Sequence, residues 1–355
     1  MRIAILAHVR HPIAPPFAGG MESHCWHLAA GLRDRGHDVT LFASGDSDPR
    51  FPIDPVIPIY YEHSFPGAEH RGFQPLVAHL DHGYAAACDR IAAGSFDVLH
   101  NHSLHRFPLA AERLAAIPTV TALHVPPYDA LRWFVHASAI TCHRITATSA
   151  HHLAAWWPDG APDVASVLHN GIDPAAWPFV AEGGDRAIWC GRIAQDKGPH
   201  LAIQAVRLAG VPLTLFGPIE DQTYWDTEVA PLLTGDIGYG GHVDAEALAV
   251  EMGRSSLLVF TPGWDEPFGL VAVEAMACGL PVAAFDRGAA REIIGPAGRF
   301  APAGDVPALG RAIIEARAMP RAPQRAHVEA AFTQDRWLDR CEALYRDVIA
   351  ARVAS

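Results

Sequence analysis

The sequence predicts an α/β protein with two domains, and two observations carry the prediction. Apolar, strand-like segments alternate with helical patterns in two series, one starting at Arg2 and the other at Ala187. The chain has 355 residues, which is long enough for two hydrophobic cores of ordinary size. The segment Ala175–Asp185 separates the two series and is expected to be the linker. The predicted domains are therefore residues 1–174 and 175–333.

Composition limits the classes of function. Half of the residues are hydrophobic, which is typical of a globular protein. The formal net charge of −12 is spread along the chain, and no basic block marks a surface for nucleic acid or anionic lipid. No apolar stretch approaches the roughly 20 residues that span a bilayer, so we expect no stable membrane insertion. Six scattered cysteines without a C-x-x-C pair predict reduced thiols in a cytoplasmic protein.

The first domain opens with the predicted strand Arg2–Ala7. A proline-rich loop that ends in Gly19-Gly20 follows, and then a helix over Glu22–Arg35. This order of strand, glycine turn and helix suits an anionic ligand at the helix start. Further on, Pro49–Gly72 is predicted to be irregular. His124 ends a predicted strand, which is where parallel α/β sheets place ligand-binding groups.

Two patterns in the first domain invite a metal-site interpretation. The chain has 21 histidines, and His100, His102 and His105 lie close together in sequence. No Cys or carboxylate cluster completes a ligand set around them, so we predict no metal site. Asp46 and Asp48 form a D-x-D pair, but their Ser/Gly/Asp/Pro surroundings favour a turn.

The second domain opens with the predicted strand Ala187–Cys190, followed by a loop that contains Arg192 and Lys197. Lys197 is the only lysine among 27 basic residues. A lysine acts as a compact point charge on phosphate, so this position stands out in an arginine-rich chain. The alternative is chance drift in such a composition.

The sharpest chemical pattern follows a later apolar run. A loop with Glu266 precedes a helix that is predicted over Phe268–Gly279 and contains Glu274. A helix start has unpaired N–H groups and a partial positive charge, and Gly269 lets a phosphate approach the backbone. Two carboxylates suit the paired hydroxyls of a ribose and of a sugar ring. The pattern indicates a nucleotide-sugar; the alternative is a surface helix with a solvated Glu274 and a capping Glu266.

Glu266 and Glu274, with seven residues between them, resemble the E-x7-E signature of the retaining glycosyltransferases of family 4. The similarity continues through Phe285–Glu292, and Val167–Asp173 resembles the segment that closes the first domain of this family. The resemblance implies the GT-B architecture, in which two Rossmann-like domains face a central cleft. It also implies that a C-terminal helix, residues 334–355, packs back on the N-terminal domain.

The resemblance implies a role for each candidate site residue. Glu266 would hold the transferred sugar and Glu274 the ribose, while Arg192 and Lys197 would neutralise the diphosphate leaving group. His124 would contact the donor sugar. Further donor contacts are implied at the N-terminal glycine loop, in a nucleobase segment and at the start of the Glu274 helix: Gly19, Gly20, His242, Val243, Phe268, Gly269, Leu270 and Val271.

The implied reaction moves a hexose, with glucose and a UDP donor favoured, to an acceptor hydroxyl with retention at the anomeric carbon. No cofactor and no metal are expected, and the acceptor is expected to be soluble rather than a lipid.

One alternative function is that of a GT-B relative with epimerase or phosphorylase activity. A pyridoxal-phosphate phosphorylase would need a Schiff-base lysine, for which Lys197 lies in the wrong context. Another is a sugar-nucleotide-binding protein without catalysis.

Overall fold

The computed structural model describes residues 1–67, 70, 72–110, 114–139 and 143–353, and these form two compact units. The first unit contains Met1–Thr148, Leu153–Leu168 and the chain from Leu338 onward. The second contains Ser149–His152 and His169–Trp337. The main segment of the second unit thus runs from residue 169 to 337, whereas the sequence predicted 175–333.

The first unit is built on a seven-stranded sheet with the strand order β3-β2-β1-β4-β5-β6-β7. Every pair of neighbouring strands is parallel, and helices connect most of them. The elements are β1 Arg2–Ala7, α1 Gly20–Asp34, β2 Asp38–Ser44, β3 Ile53–Ile57, α2 Tyr61–Ser64, α3 Gln74–Ala93, β4 Val98–His102, α4 Arg106–Ala110, β5 Thr119–Leu123, α5 Asp129–Ala137, β6 His143–Ala147, α6 Ala150–Trp156 and β7 Ala165–Val167.

Strand β3 corrects the prediction that Pro49–Gly72 is irregular. Its Pro55 obscured the strand in the sequence, because proline cannot donate a hydrogen bond to a neighbouring strand. In the structure β3 is the outer strand of the sheet and Pro55 is exposed there. Only one side of an edge strand needs a partner, so the proline is tolerated.

The second unit has a six-stranded parallel sheet with the order β10-β9-β8-β11-β12-β13. Two such parallel-sheet units confirm the predicted α/β fold class. The elements are β8 Ala187–Cys190, α7 Pro199–Ala209, β9 Leu213–Phe216, α8 Gln222–Tyr224, β10 Ile237–Tyr239, α9 Ala245–Arg254, β11 Leu258–Phe260, α10 Leu270–Ala277, β12 Val282–Phe285, α11 Ala290–Ile294, β13 Gly298–Ala301, α12 Val306–Arg317, α13 Ala322–Ala331 and α14 Gln334–Val353.

Helix α14 crosses from the second unit to the first, as predicted. At its start, the amide of Gln334 donates to the carbonyl of Ile172 at 2.7 Å within the second unit. From Leu338 the helix belongs to the first unit, where Cys341 and Tyr345 are fully buried. The Tyr345 hydroxyl lies 2.7 Å from Nδ1 of His100 on β4, which fixes the helix against the sheet.

The structure describes five of the six cysteines. Cys25, Cys88, Cys190, Cys278 and Cys341 are buried and form no disulfide among the described residues, and Cys142 lies outside them. Within the described ranges, the helices include none with the length and apolar character needed to cross a membrane.

Candidate active site

The sheet of the second unit brings the predicted donor-binding residues together. Strands β8 and β11 are neighbours in the sheet although two strands separate them in sequence, so their loops flank the topological switch point. Loops after the carboxyl ends of parallel strands emerge at the same end of the sheet. Ligands bind at this end, beside the topological switch point. Arg192 and Lys197 follow β8, and Glu266 follows β11.

Lys197 and Glu266 form an ion pair at this end of the sheet. The Nζ of Lys197 lies 2.5 Å from Oε2 of Glu266, and both side chains are largely buried. Trp264 supports the pair twice: its indole Nε1 donates to the same Oε2 at 2.8 Å, and its ring lies 4.9 Å from Nζ of Lys197. Trp264 was not predicted as a site residue, because nothing in its sequence position indicates which way the indole points.

Thr261 fixes the loop that presents Lys197. Its side chain lies in the core, where its hydroxyl accepts a hydrogen bond from Nε1 of Trp189 at 2.9 Å. The hydroxyl also lies 3.0 Å from the carbonyl oxygens of both Lys197 and Gly198. Gly198 has a φ of +63°, and a Cβ there would lie 2.7 Å from the carbonyl oxygen of Thr261. The glycine therefore permits the two loops to pack directly on each other.

Gly288 likewise permits its loop to pack closely against the loop of Glu266. It has a φ of +60°, and a Cβ at this position would collide with the backbone nitrogen of Glu266. The next residue, Ala289, donates its amide to the carbonyl of Glu266 at 2.9 Å. The loop after β12 thus holds the Glu266 backbone in place.

Arg192 is held by two carboxylates. One guanidinium nitrogen contacts Oε2 of Glu220, and another lies 3.2 Å from Oδ2 of Asp196. A guanidinium has five N–H donors, so these contacts leave further donors for an incoming phosphate. Neither Glu220 nor Asp196 was singled out from the sequence.

The predicted phosphate seat is the start of α10. Gly269 precedes the helix in a left-handed conformation with a φ of +89°, which favours glycine. Phe268 is buried against Phe332, so only its backbone is available to a ligand. Leu270 and Val271 are partly buried and pack on the core, which leaves their amide groups as the ligand-binding part.

Glu274 lies inside α10 and differs from Glu266 in its surroundings. Burial raises the pKa of its carboxyl to about 7. The carboxylate has no hydrogen-bond partner within the part of the chain that the structure describes. Burial raises the pKa of two nearby thiols, Cys190 at the end of β8 and Cys278 after α10, and Glu274 raises it further. A partly exposed carboxyl in these surroundings is suited to receive donors from a ligand.

The predicted nucleobase segment follows β10, which two strands, β9 and β8, separate from the strand that precedes Glu266. His242 is exposed and Val243 packs on the core, in the loop between β10 and α9. The amide of Gly217, after β9, donates to the carbonyl of Gly241 at 2.9 Å and so fixes this loop. The structure therefore places His242 and Val243 at the carboxyl end of the sheet, as it does the other candidates of the second unit.

In the first unit, the glycine loop has an acidic neighbour. Helix α1 begins at Gly20, and a Cβ at Gly19 would lie 3.1 Å from Oε2 of Glu22. Glu22 is buried and lies 3.3 Å from Nε2 of His8, at the end of β1. The helix start therefore carries both a partial positive charge and a carboxylate, a combination better suited to a sugar hydroxyl than to a phosphate.

His124 belongs to a group of imidazoles in the first unit. It follows β5, and its Nε2 lies 2.8 Å from Nδ1 of His102, the last residue of the neighbouring strand β4. The ring of His24, from α1, packs edge-on against His124 with 4.7 Å between ring centroids. His105 lies apart from the group, stacked on Tyr84 and 3.2 Å from Asp81.

Asp46 lies in a turn after β2, as predicted, and the D-x-D carboxylates bind groups of this loop, of α1 and of the segment after β3. Asp46 accepts a hydrogen bond from the amide of Tyr60 at 3.2 Å. Asp48 accepts from Nε1 of Trp26 and from the guanidinium of Arg50, which lowers its pKa to about 2.

Two family models match the sequence, one for each unit. Glycosyltransferase Family 4 matches residues 18–176, and Glycosyl transferases group 1 matches residues 179–331. The phosphatidyl-myo-inositol mannosyltransferase of Mycolicibacterium smegmatis is 28% identical over 92% of this chain and 89% of its own length. A glycogen synthase of Mycobacterium tuberculosis is 27% identical over 92% of this chain and 88% of its own length.

Solved structures share the fold. The sucrose-phosphate synthase of Thermosynechococcus elongatus matches with a TM-score of 0.81 and 20% identity, over 99% of this chain and 100% of its own. The Anabaena protein Alr3699/HepE, solved in complex with UDP-glucose, matches with a TM-score of 0.72 and 18% identity, over 97% and 99% of the two chains.

Proposed function

Because this chain belongs to the family 4 glycosyltransferases and has the GT-B fold, we propose that it transfers glucose from UDP-glucose to an acceptor hydroxyl with retention of configuration. One observation carries the proposal: two carboxylates flank the start of α10, and one of them, Glu266, is paired with Lys197. The helix start and the lysine suit a diphosphate, and the carboxylates suit the hydroxyls on either side of it.

In this proposal each charged group contacts one part of the donor. Glu274 accepts hydrogen bonds from the ribose, and Glu266 accepts them from the transferred sugar. Lys197 has three N–H donors, so it can keep Glu266 and also bind a phosphate oxygen. Arg192 gives its remaining donors to the diphosphate. Both cations then stabilise the negative charge that develops on the leaving group.

We propose a front-face displacement for the transfer. Glu266 is engaged by Lys197 and Trp264, which suits a sugar-holding carboxylate rather than a free nucleophile. The bond from the anomeric carbon to the phosphate oxygen breaks, a bond to the acceptor oxygen forms on the same face, and the departing phosphate takes the acceptor's proton. His124 contacts the donor sugar, and Gly19 and Gly20 contribute backbone contacts.

The proposed donor and acceptor follow from the similar proteins and from the charge pattern of the sequence. That Alr3699/HepE was solved with UDP-glucose supports the choice of donor. The relatives include a mannosyltransferase whose name gives a phosphatidylinositol substrate, so mannose and lipid acceptors are the alternatives to test. We propose a soluble acceptor, because the sequence has no basic block for an anionic lipid surface, and action in the cytoplasm, where the free thiols stay reduced.

The test is a donor panel followed by product analysis. UDP-, GDP-, ADP- and dTDP-glucose and GDP-mannose are compared by thermal shift, and the donors that bind are assayed with sugar and lipid acceptors. We expect UDP-glucose to give the largest shift and an α-linked product by proton NMR. A β-linked product would contradict retention, and donor hydrolysis without any transfer would contradict the proposed transferase activity.

A further inference from the structure

Three imidazoles of the first unit converge on one point. One ring nitrogen from each of His24, His102 and His124 lies within 4.8 Å of the other two. They come from α1, from the end of β4 and from the residue after β5, so three separate elements position them. His24 and His102 are buried and His124 is partly buried. We call these three residues the histidine triad.

The ring spacing of the triad is close to that of three imidazole ligands on one tetrahedral metal ion. With Zn–N bonds of about 2.0–2.1 Å, two imidazole ligands of a tetrahedral zinc have ring centroids about 5.2 Å apart. The centroid separations here are 4.7 Å for His24 and His124, 5.3 Å for His24 and His102, and 5.1 Å for His102 and His124.

The nitrogen separation gives the movement that metal binding would need. Two nitrogens on one tetrahedral zinc lie about 3.3 Å apart, whereas Nδ1 of His102 and Nε2 of His124 are 2.8 Å apart. The ligand atom of His24 lies within 4.8 Å of the other two, so the three rings would have to shift toward a common separation to bind the ion.

The chemistry of the triad favours a transition metal. Neutral imidazole is the ligand preferred by Zn²⁺ and its neighbours, whereas Mg²⁺ and Ca²⁺ prefer oxygen.

We propose that His24, His102 and His124 form a binding site for Zn²⁺, and that zinc bound there inhibits the transferase by engaging His124. The binding part stands on the geometry alone. The inhibition part rests on the proposed function, because it requires that His124 contacts the donor sugar.

Binding is tested by chelator-competition titration of Zn²⁺ into the whole protein. The chain has 21 histidines, so weak surface sites are expected and matched variants are needed. We expect His24→Leu to weaken the tightest zinc site at least tenfold. His143→Leu is the control, because it removes another buried imidazole of the same unit that lies outside the triad. Equal affinity in wild type and His24→Leu would overturn the site.

A measurement on the unaltered protein covers the case in which His24→Leu does not fold. Crystals soaked in Zn²⁺ should give an anomalous difference peak at the zinc edge between the three rings. Peaks confined to surface histidines would overturn the site.

Inhibition is tested separately, as the ratio of transfer rates with and without Zn²⁺ in each variant. We expect wild type and His143→Leu to lose at least tenfold in rate and EDTA to restore it, while His24→Leu resists. Zinc that occupies the triad without slowing transfer would overturn the inhibition part. A protein that binds zinc but transfers no sugar from any donor would contradict the proposed function and leave the binding site intact.

Discussion

Nζ of Lys197 lies 2.5 Å from Oε2 of Glu266 and joins two loops that follow neighbouring strands. Lys197, which is proposed to bind the diphosphate, and Glu266, which is proposed to bind the sugar, are thus in contact. A donor that bridges them places its sugar–phosphate bond beside this pair, which is where charge develops during transfer.

Replacement of Lys197 by alanine should weaken binding of the nucleoside diphosphate and slow transfer. Loss of one such electrostatic partner typically costs on the order of 10²–10³ in rate. Binding is measured by calorimetry and transfer by initial rates. Arg254→Ala is the control, because Arg254 is exposed at the end of α9, and it should leave both quantities unchanged. A Lys197→Ala rate within about threefold of wild type would exclude Lys197 from the mechanism.

The substitutions Glu266→Gln and Glu274→Gln should impair different properties, sugar transfer in the first and nucleotide affinity as well in the second. Glu266→Gln gives up charge-assisted hydrogen bonds, worth roughly 1.5–3 kcal/mol each. If Glu266 holds the sugar, this variant should lose transfer but keep its affinity for the free diphosphate. Glu274→Gln should lose that affinity too, because the ribose is present in both ligands. Calorimetry and initial rates separate the two, and an equal loss of nucleotide affinity in both variants would mean that the assigned roles are wrong.

Nucleotide affinity should rise with pH around neutrality. Because the pKa of Glu274 is raised to about 7, the group is mostly protonated at pH 6 and mostly ionised at pH 8. Only the ionised form accepts from both ribose hydroxyls, so affinity should rise about tenfold over this range. The thiols of Cys190 and Cys278 face Glu274 but stay protonated there, since burial raises the pKa of both.

Calorimetry of UDP at several pH values checks this prediction, with Glu274→Gln as the reference for the titration of the phosphate itself. A wild-type profile parallel to that of the variant would contradict it.

The contribution of Glu274 to folding stability depends on pH in the opposite direction. The folded-state pKa of Glu274 lies above its ordinary value, so the stability that it contributes is complete below about pH 4.5 and is lost as the pH rises through 7.

Trp264→Phe should reduce catalytic efficiency about tenfold. The phenyl ring can still face Lys197, but the N–H that donates to Glu266 at 2.8 Å is lost. Hydrogen bonds to charged groups contribute roughly 1.5–3 kcal/mol, and partial exposure places this one at the lower end. The measurement is kcat/KM with the intact donor. Trp133→Phe, at an exposed position of α5, should have no effect, and a change of less than twofold in Trp264→Phe would exclude a positioning role.

Transfer should need no divalent metal. Arg192, Lys197 and the helix start after Gly269 already supply positive potential at the predicted diphosphate site. Asp46 and Asp48 are engaged in hydrogen bonds within the first unit. Rates measured after dialysis against EDTA should be no lower than those before it. Activity that disappears with EDTA and returns with Mn²⁺ would contradict this prediction.

Much of the fold could be predicted because a buried parallel strand leaves a continuous apolar run in the sequence. The predicted strands Arg2–Ala7 and Ala187–Cys190 are confirmed to the residue. Strand β3 was missed because Pro55 masks an edge strand. The short strand β10 was missed because it has three residues, Ile237–Tyr239, and one of them is glycine.

The candidate site could be predicted only as far as its charged residues. Lys197 and Glu266 lie on loops after neighbouring parallel strands, so sheet topology brings them together once the strands are known. Trp264 and Thr261 were missed, because their contribution depends on side-chain directions that the local pattern does not encode. His24 was missed for a related reason: its neighbours His102 and His124 come from strands more than 70 residues away along the chain.

The crossing of α14 sets an order for biosynthesis. The first unit starts at Met1 but contains Cys341 and Tyr345 in its core, so it lacks part of its interior until residue 345 has been translated. Most of the second unit is the continuous segment His169–Trp337 and meets no such delay. Domains tend to fold as units while the ribosome is still translating. On nascent chains of this protein, the unit that is translated first is therefore the one that matures last.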